Sequence, residues 1–183
     1  MRAYSIEQFK AEFARLGYRW VSPFQIIGVR SAKSLPDKFD DAVFIISGEK
    51  VYCFSATTNP GKDGLLSPSN PKGTANMKPG QYPGAYRFGL HKGQYEALVQ
   101  TGAPITVYRD SDKDAIAEET AVTETGYFGI NIHRANASAT SFIVGRWSEG
   151  CQVIASPDDF SEFMKLCKDS GQEKFTYTLL KEF

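Results

Sequence analysis

Three short apolar runs, the second and third separated only by turn residues, restrict what this chain can fold into more than anything else in it. Phe24 to Arg30, Ala42 to Ser47 and Val51 to Ala56 are rich in β-branched and aromatic side chains, the composition of strands. Gly48-Glu49-Lys50 is short enough to fold the second and third into a hairpin. The same pattern returns at Tyr86 to His91, Ile105 to Tyr108, Gly126 to Ile132, Phe142 to Val144 and Gln152 to Ile154. A last strand is predicted where Phe175, Tyr177 and Leu179 alternate, whereas Gln94 to Gln100 fits a short helix or a strand equally well. Two segments carry helix-capping signals. Ser5-Ile6-Glu7-Gln8 is a capping box, after which Ile6, Phe9, Phe13 and Leu16 share one face and Gly17 ends the run. Ser156-Pro157-Asp158-Asp159 starts the second helix with a cap, a proline and two acids at its positive end, and Phe160, Phe163, Met164 and Cys167 form its apolar face. The expected class is mainly β with two short helices (α+β), a mixed sheet or sandwich with the helices outside.

With 183 residues, 42% of them apolar, the chain suits one domain with a substantial core. Twenty-one basic and twenty-one acidic residues cancel, and no block of like charge draws it to nucleic acid or to an anionic membrane. No apolar run approaches spanning length, and the N-terminus lacks the apolar core of an export signal. The expectation is therefore a protein that is cytoplasmic as synthesised. Thr57 to Gly84 is dominated by Pro, Gly, Asn, Ser and Lys and reads as a long loop, either mobile or walling a site. Asp110-Ser111-Asp112-Lys113-Asp114 has the alternating oxygens of a calcium loop. Ala115 and Ala121 occupy the positions where such a loop needs Gly and Glu, so an acidic hairpin tip is the better reading.

Three widely spaced cysteines do not make a disulfide framework. Cys53 lies in a strand pattern and Cys167 on a helix face, which singles out Cys151. It follows Gly150 in a tight Ser148-Glu149-Gly150 turn, eighteen residues after His133, one of two histidines. An imidazole can take a thiol proton and leave the thiolate that attacks carbonyl carbon. Turn amides, those of Gly150 and Cys151, can face the oxyanion of a tetrahedral intermediate. The other histidine, His91, reads as a strand-end surface residue.

Ile130-Asn131-Ile132-His133, then fourteen residues, then Ser148-x-Gly150-Cys151, resembles the signature of the L,D-transpeptidase catalytic domain. Met77-Lys78-Pro79-Gly80-Gln81-Tyr82 is weakly similar to the segment that precedes a central strand in that family. Glu149 stands where the family has a second histidine, and Gln152 and Val153 replace an apolar residue followed by Arg or Asn. The resemblance implies a β-sandwich-like catalytic core over residues 77–183, with residues 1–76 a helix and β segment of unassigned role within the same domain. It implies Cys151 as nucleophile, His133 as base, the Arg134 carbonyl orienting the imidazole and the Gly150 amide in the oxyanion hole. Ser148, Glu149, Arg146 and Trp147 would form the substrate rim, and neither metal nor cofactor is called for. The implied partners are peptidoglycan stem peptides, cut or cross-linked through a thioester, by a protein delivered to the wall. The alternative is an idle wall-binding or phage structural module that keeps the fold.

Overall fold

The structure, a computed structural model, describes residues 3–21, 23–33, 35 and 37–183. The chain is mainly β. Its elements are α1 (Ile6–Leu16), β1 (Phe24–Arg30), β2 (Asp41–Ser47), β3 (Lys50–Thr57), α2 (Lys62–Leu66), β4 (Thr74–Met77), β5 (Gly80–His91), β6 (Tyr95–Val99), β7 (Ile105–Asp110), β8 (Thr123–Gly126), β9 (Ile132–Arg134), β10 (Gln152–Ile154), α3 (Pro157–Asp169) and β11 (Phe175–Lys181). Eight strands close into a barrel in the order β1-β11-β5-β6-β9-β10-β3-β2, and β4-β7-β8 form a separate antiparallel sheet. Within the barrel β1 runs parallel to β11 and β9 parallel to β10. The first three strands therefore share one closed sheet with the last two, and none of these eight has a free edge.

The continuous apolar runs of β1 and β2 follow from burial on both faces. Ile26, Val43 and Ile45 join Phe54, Tyr86, Ile132, Ile154 and Tyr177 in the main cluster. Ile27, Val29, Phe44 and Ile46 point the other way and are covered by Phe9 and Phe13 of α1. Each such fully buried side chain stabilises the fold by about 1.5–3 kcal/mol. Helix α1 begins as its sequence predicts: Gln8 N donates to Ser5 Oγ, and Ser5 N to Gln8 Oε1. Gly17 closes it in the left-handed region at φ 70°. Helix α3, capped by Ser156, lays Phe160, Phe163, Met164 and Cys167 against the main cluster, where Phe163 meets Phe54 edge-on at 5.9 Å. No helix among the described residues is long and apolar enough to cross a membrane.

Several expectations are corrected. Residues 57–84 are not one loop: they hold a third helix, α2, then β4 and the start of β5. All four residues of β4 are buried and pair with β7, although Thr, Ala and Asn give them little apolar signal. Gln94 to Gln100 resolves as strand β6. Gly126 to Ile132 is not one strand, because β8 ends at Gly126 and β9 starts at Ile132. Between them Gly129 takes φ 68°, and the amides of Phe128 and Gly129 donate to the Gln100 side chain, not to a neighbouring strand. Phe142 to Val144 is not a strand either; Phe142 is 80% exposed, and Val144 leads into the 3₁₀ turn Gly145–Trp147. The acidic segment lies in the connection joining antiparallel β7 and β8. Its Asp112 and Asp114 converge with Glu118, all three exposed, while Asp110 is buried and accepts from the Glu118 amide.

Candidate active site

Parallel pairing of β9 with β10 brings the two chemically singled-out residues together. His133 is in register with Val153, and Gln152 N donates to Asn131 O at 2.9 Å, which places Cys151 level with Asn131. Because side chains two apart on a strand share a face, His133 and Cys151 lie on the same side of adjacent strands. Both line one cleft of about 520 Å³, together with His91, Lys92, Arg146 and Glu149.

The imidazole of His133 is 2% exposed, and its orientation is set by hydrogen bonds. Nδ1 lies 2.7 Å from Arg134 O, an acceptor, so Nδ1 carries the proton and Nε2 the lone pair. Tyr95 OH also donates to Arg134 O at 3.2 Å, and the Arg134 guanidinium lies over the Tyr95 ring at 3.7 Å. Nε2 is buried and makes no hydrogen bond among the described residues. Burial drives the His133 pKa down to about 3; His91 adds to the shift, and the bond to Arg134 O opposes it.

Cys151 is half-buried. Its Sγ accepts from Asn131 N at 3.4 Å and donates to Gly129 O at 3.6 Å. Burial pushes the thiol up to about 11, against the pull of the Asn131 bond and of Lys92 and with a contribution from Glu149. The sequence suggests an imidazolium that makes thiolate at neutral pH. Burial acts on both groups in the opposite direction, toward neutral imidazole and neutral thiol.

The turn before Cys151 is tightly stapled. Ser148, fully buried, accepts from Gly150 N at 3.1 Å and donates to Cys151 O at 2.9 Å. Ser148 is thus a turn staple and not part of the substrate rim, and the Gly150 amide expected in the oxyanion hole is already engaged. Gly150 takes φ 120°, and a Cβ there would collide with the Ala75 carbonyl of β4. From inside the barrel, Tyr177 OH donates to Gln152 Oε1 at 2.8 Å and Gln152 Nε2 donates to Gly150 O at 3.2 Å. From the other side, Gly61, which caps α2, donates its amide to Ser148 O at 2.8 Å. Glu149 and Trp147 stand at the cleft rim, Glu149 accepting from Ser69 Oγ at 2.6 Å. Arg146 is exposed, 3.5 Å from Asp63 Oδ2.

No protein-family model, no curated protein and no solved structure matches this chain. Two residues of the cleft, His91 and Asn131, have roles that a sequence reading does not reveal. His91 is not a surface residue: it is buried, its ring stacked on His133 with centroids 3.9 Å apart, and its pKa is driven down to about 4 by burial and then by Lys92 and Arg134. Asn131 joins the cysteine to this second histidine. Its backbone N–H reaches Cys151 Sγ, its Oδ1 accepts from Gln100 N at 2.9 Å, and its Nδ2 lies 3.1 Å from His91 Nδ1. Gln100 fixes the loop beneath, donating to Ala103 O and Gly126 O while accepting from Phe128 N and Gly129 N. No spacing in the sequence links positions 91, 100 and 131; strand pairing alone brings them together.

Proposed function

We propose that this chain is a cysteine acyl-transfer enzyme with an L,D-transpeptidase-like core, acting on peptidoglycan stem peptides through a thioester. The observation that carries the reading is a buried histidine whose Nδ1 is held by the Arg134 carbonyl and whose Nε2 lone pair is unpartnered, in one cleft with a half-buried thiol. That arrangement prepares His133 as a general base and Cys151 as a nucleophile. As Sγ bonds to the scissile carbonyl carbon, the thiol proton passes to Nε2 and the carbonyl electron pair moves onto oxygen. Collapse restores the carbonyl, breaks the C–N bond and returns the proton from Nε2 to the leaving amine, with the acyl group held on sulfur. Water or a second amine then attacks the thioester, with His133 again as base.

Lys92 and Arg146 offer charge to the carboxylates of a stem peptide, and Glu149 offers an acceptor to an ammonium. The cleft is lined by polar Ser69, Asn70 and Thr74 as well as by apolar Phe128, Ile130 and Trp147, and its polar part admits water, which favours hydrolysis over transfer. One observation favours the other reading, an idle wall-binding module: the resting thiol bonds Gly129 O and not His133. Mass spectrometry of defined tetrapeptide and cross-linked muropeptides incubated with the protein separates the two. Trimmed stems that disappear with Cys151→Ala and His133→Ala support the enzyme, and dominant dimers would overturn hydrolysis. Unchanged muropeptides with retained wall binding would establish the module.

A further inference from the structure

Attack on a carbonyl creates an oxyanion, and the turn that carries the nucleophile has few donors left for it. The Gly150 amide is engaged by Ser148 Oγ at 3.1 Å, and Ser148 is itself bonded to Cys151 O. The Cys151 amide takes part in no hydrogen bond among the described residues and is a backbone donor beside the sulfur still uncommitted. Two aligned donors are the usual requirement for holding such an oxyanion.

A second donor is available from the β5–β6 hairpin. Gln100 N–H donates to Asn131 Oδ1, which fixes the amide so that its Nδ2 faces His91 Nδ1 at 3.1 Å. Nδ1 of His91 is therefore an acceptor, and the ring proton sits on Nε2. His133 has the opposite tautomer, its proton on Nδ1 and its lone pair on Nε2. Two stacked imidazoles thus offer one acceptor and one donor edge at the same cleft. We propose that His91 is a catalytic residue whose Nε2–H holds the oxyanion together with the Cys151 amide, and that Asn131 is the positioning residue that keeps the proton on Nε2. The assignment rests on Cys151 being an acyl-accepting nucleophile, but not on any particular substrate. A neutral donor suits the place, because a cation stacked on His133 would oppose protonation of the base during attack.

Two reactions of the same sulfur separate this role from simple packing. Iodoacetamide displaces iodide at saturated carbon and forms no oxyanion. p-Nitrophenyl acetate is attacked at its carbonyl: the S–C bond forms, the thiol proton goes to His133, the oxygen takes the electron pair, and p-nitrophenolate leaves as the carbonyl reforms. Both adducts are followed by intact mass at pH 9 in a Cys53→Ser background, which removes the exposed thiol. His91→Phe, which keeps a stacked ring without a donor, is expected to slow acetylation about 10²–10³-fold while alkylation stays within about twofold. His91→Gln, which restores an N–H, should recover most of the acetylation. Asn131→Asp draws the imidazole proton to Nδ1 and should reproduce the loss. Acetylation unchanged in His91→Phe would overturn the assignment. So would acetylation and alkylation falling together without rescue by Gln, the pattern of a structural filler. A wild-type protein that is alkylated at Cys151 but never acetylated would overturn the nucleophile reading itself, and the role of His91 with it.

Discussion

The reactivity of Cys151 as a function of pH tests the neutral resting pair directly. With the thiol at about 11, roughly one molecule in 10⁴ carries thiolate at pH 7, against about 3% for an ordinary cysteine titrating near 8.5. A more basic thiolate is also more nucleophilic, which recovers about tenfold over that difference in pKa. Alkylation of Cys151 at pH 7 should therefore run about 30-fold slower than that of an unhindered cysteine peptide. The second-order rate with iodoacetamide, followed by intact mass in Cys53→Ser, should climb about tenfold per pH unit from pH 6 to pH 10 without a plateau. His133→Gln should leave this profile in place, because in the resting state the base holds no proton for the sulfur to exploit. A flat, fast rate between pH 5 and pH 8 that is lost in His133→Gln would show a thiolate–imidazolium pair and refute the reasoning.

Gln100→Leu strips partners from two carbonyls and two amides around Gly129, each worth about 1–3 kcal/mol if left unpaired. After water reaches some of them, a loss of roughly 3–5 kcal/mol in urea unfolding is expected, and a loss under about 1 kcal/mol would contradict this account. His133 and His91 are held at about 3 and about 4, below the ordinary value near 6.5, so the unfolded chain binds protons that the folded one refuses. The stability they contribute is present above about pH 6.5 and is lost as pH falls toward the folded values. The protein should be roughly 4 kcal/mol less stable at pH 5 than at pH 8, beyond what His91→Phe/His133→Phe shows over the same interval. Glu149 raises the Cys151 pKa as the smallest of its contributions, so Glu149→Gln should speed alkylation a few-fold at most; a slower rate would make the carboxylate a supporting member of the site.

What the sequence reveals divides along a physical line. Local rules act within a few residues, and they place α1, α3, β1, β2 and β3 where they stand, since caps, turns and double-faced burial leave their mark in adjacent letters. They also single out His133 and Cys151, whose chemistry is carried by residue type. The Arg134 carbonyl lies 2.7 Å from His133 Nδ1, a contact between neighbours in the chain. The roles of Ser148 and the Gly150 amide, by contrast, turn on a two-residue hydrogen bond that no motif specifies. Helix α2 escapes notice because Gly61 and Gly64 are small for close approach: a Cβ on Gly61 would collide with Gly145 O, and one on Gly64 would press on Glu149. The Gly126 to Ile132 segment misleads for the opposite reason. Its apolar letters suit a strand, but the Gln100 side chain captures its amides.

Strand β11 lies between β1 and β5, so the last strand in the chain is the one that closes a ring begun by the first. Contacts of this span make folding slow, because the long loop between Phe24 and Phe175 must be closed before they can form. During synthesis β1 and β5 emerge early and wait with open edges for a partner still inside the ribosome, the interval in which pairing with another chain is the main hazard. Tyr177, carried on that same late strand, braces the turn behind the thiol through Gln152. Until β11 pairs with β1 and β5, that brace behind Cys151 is missing, although β9 and β10 are already made.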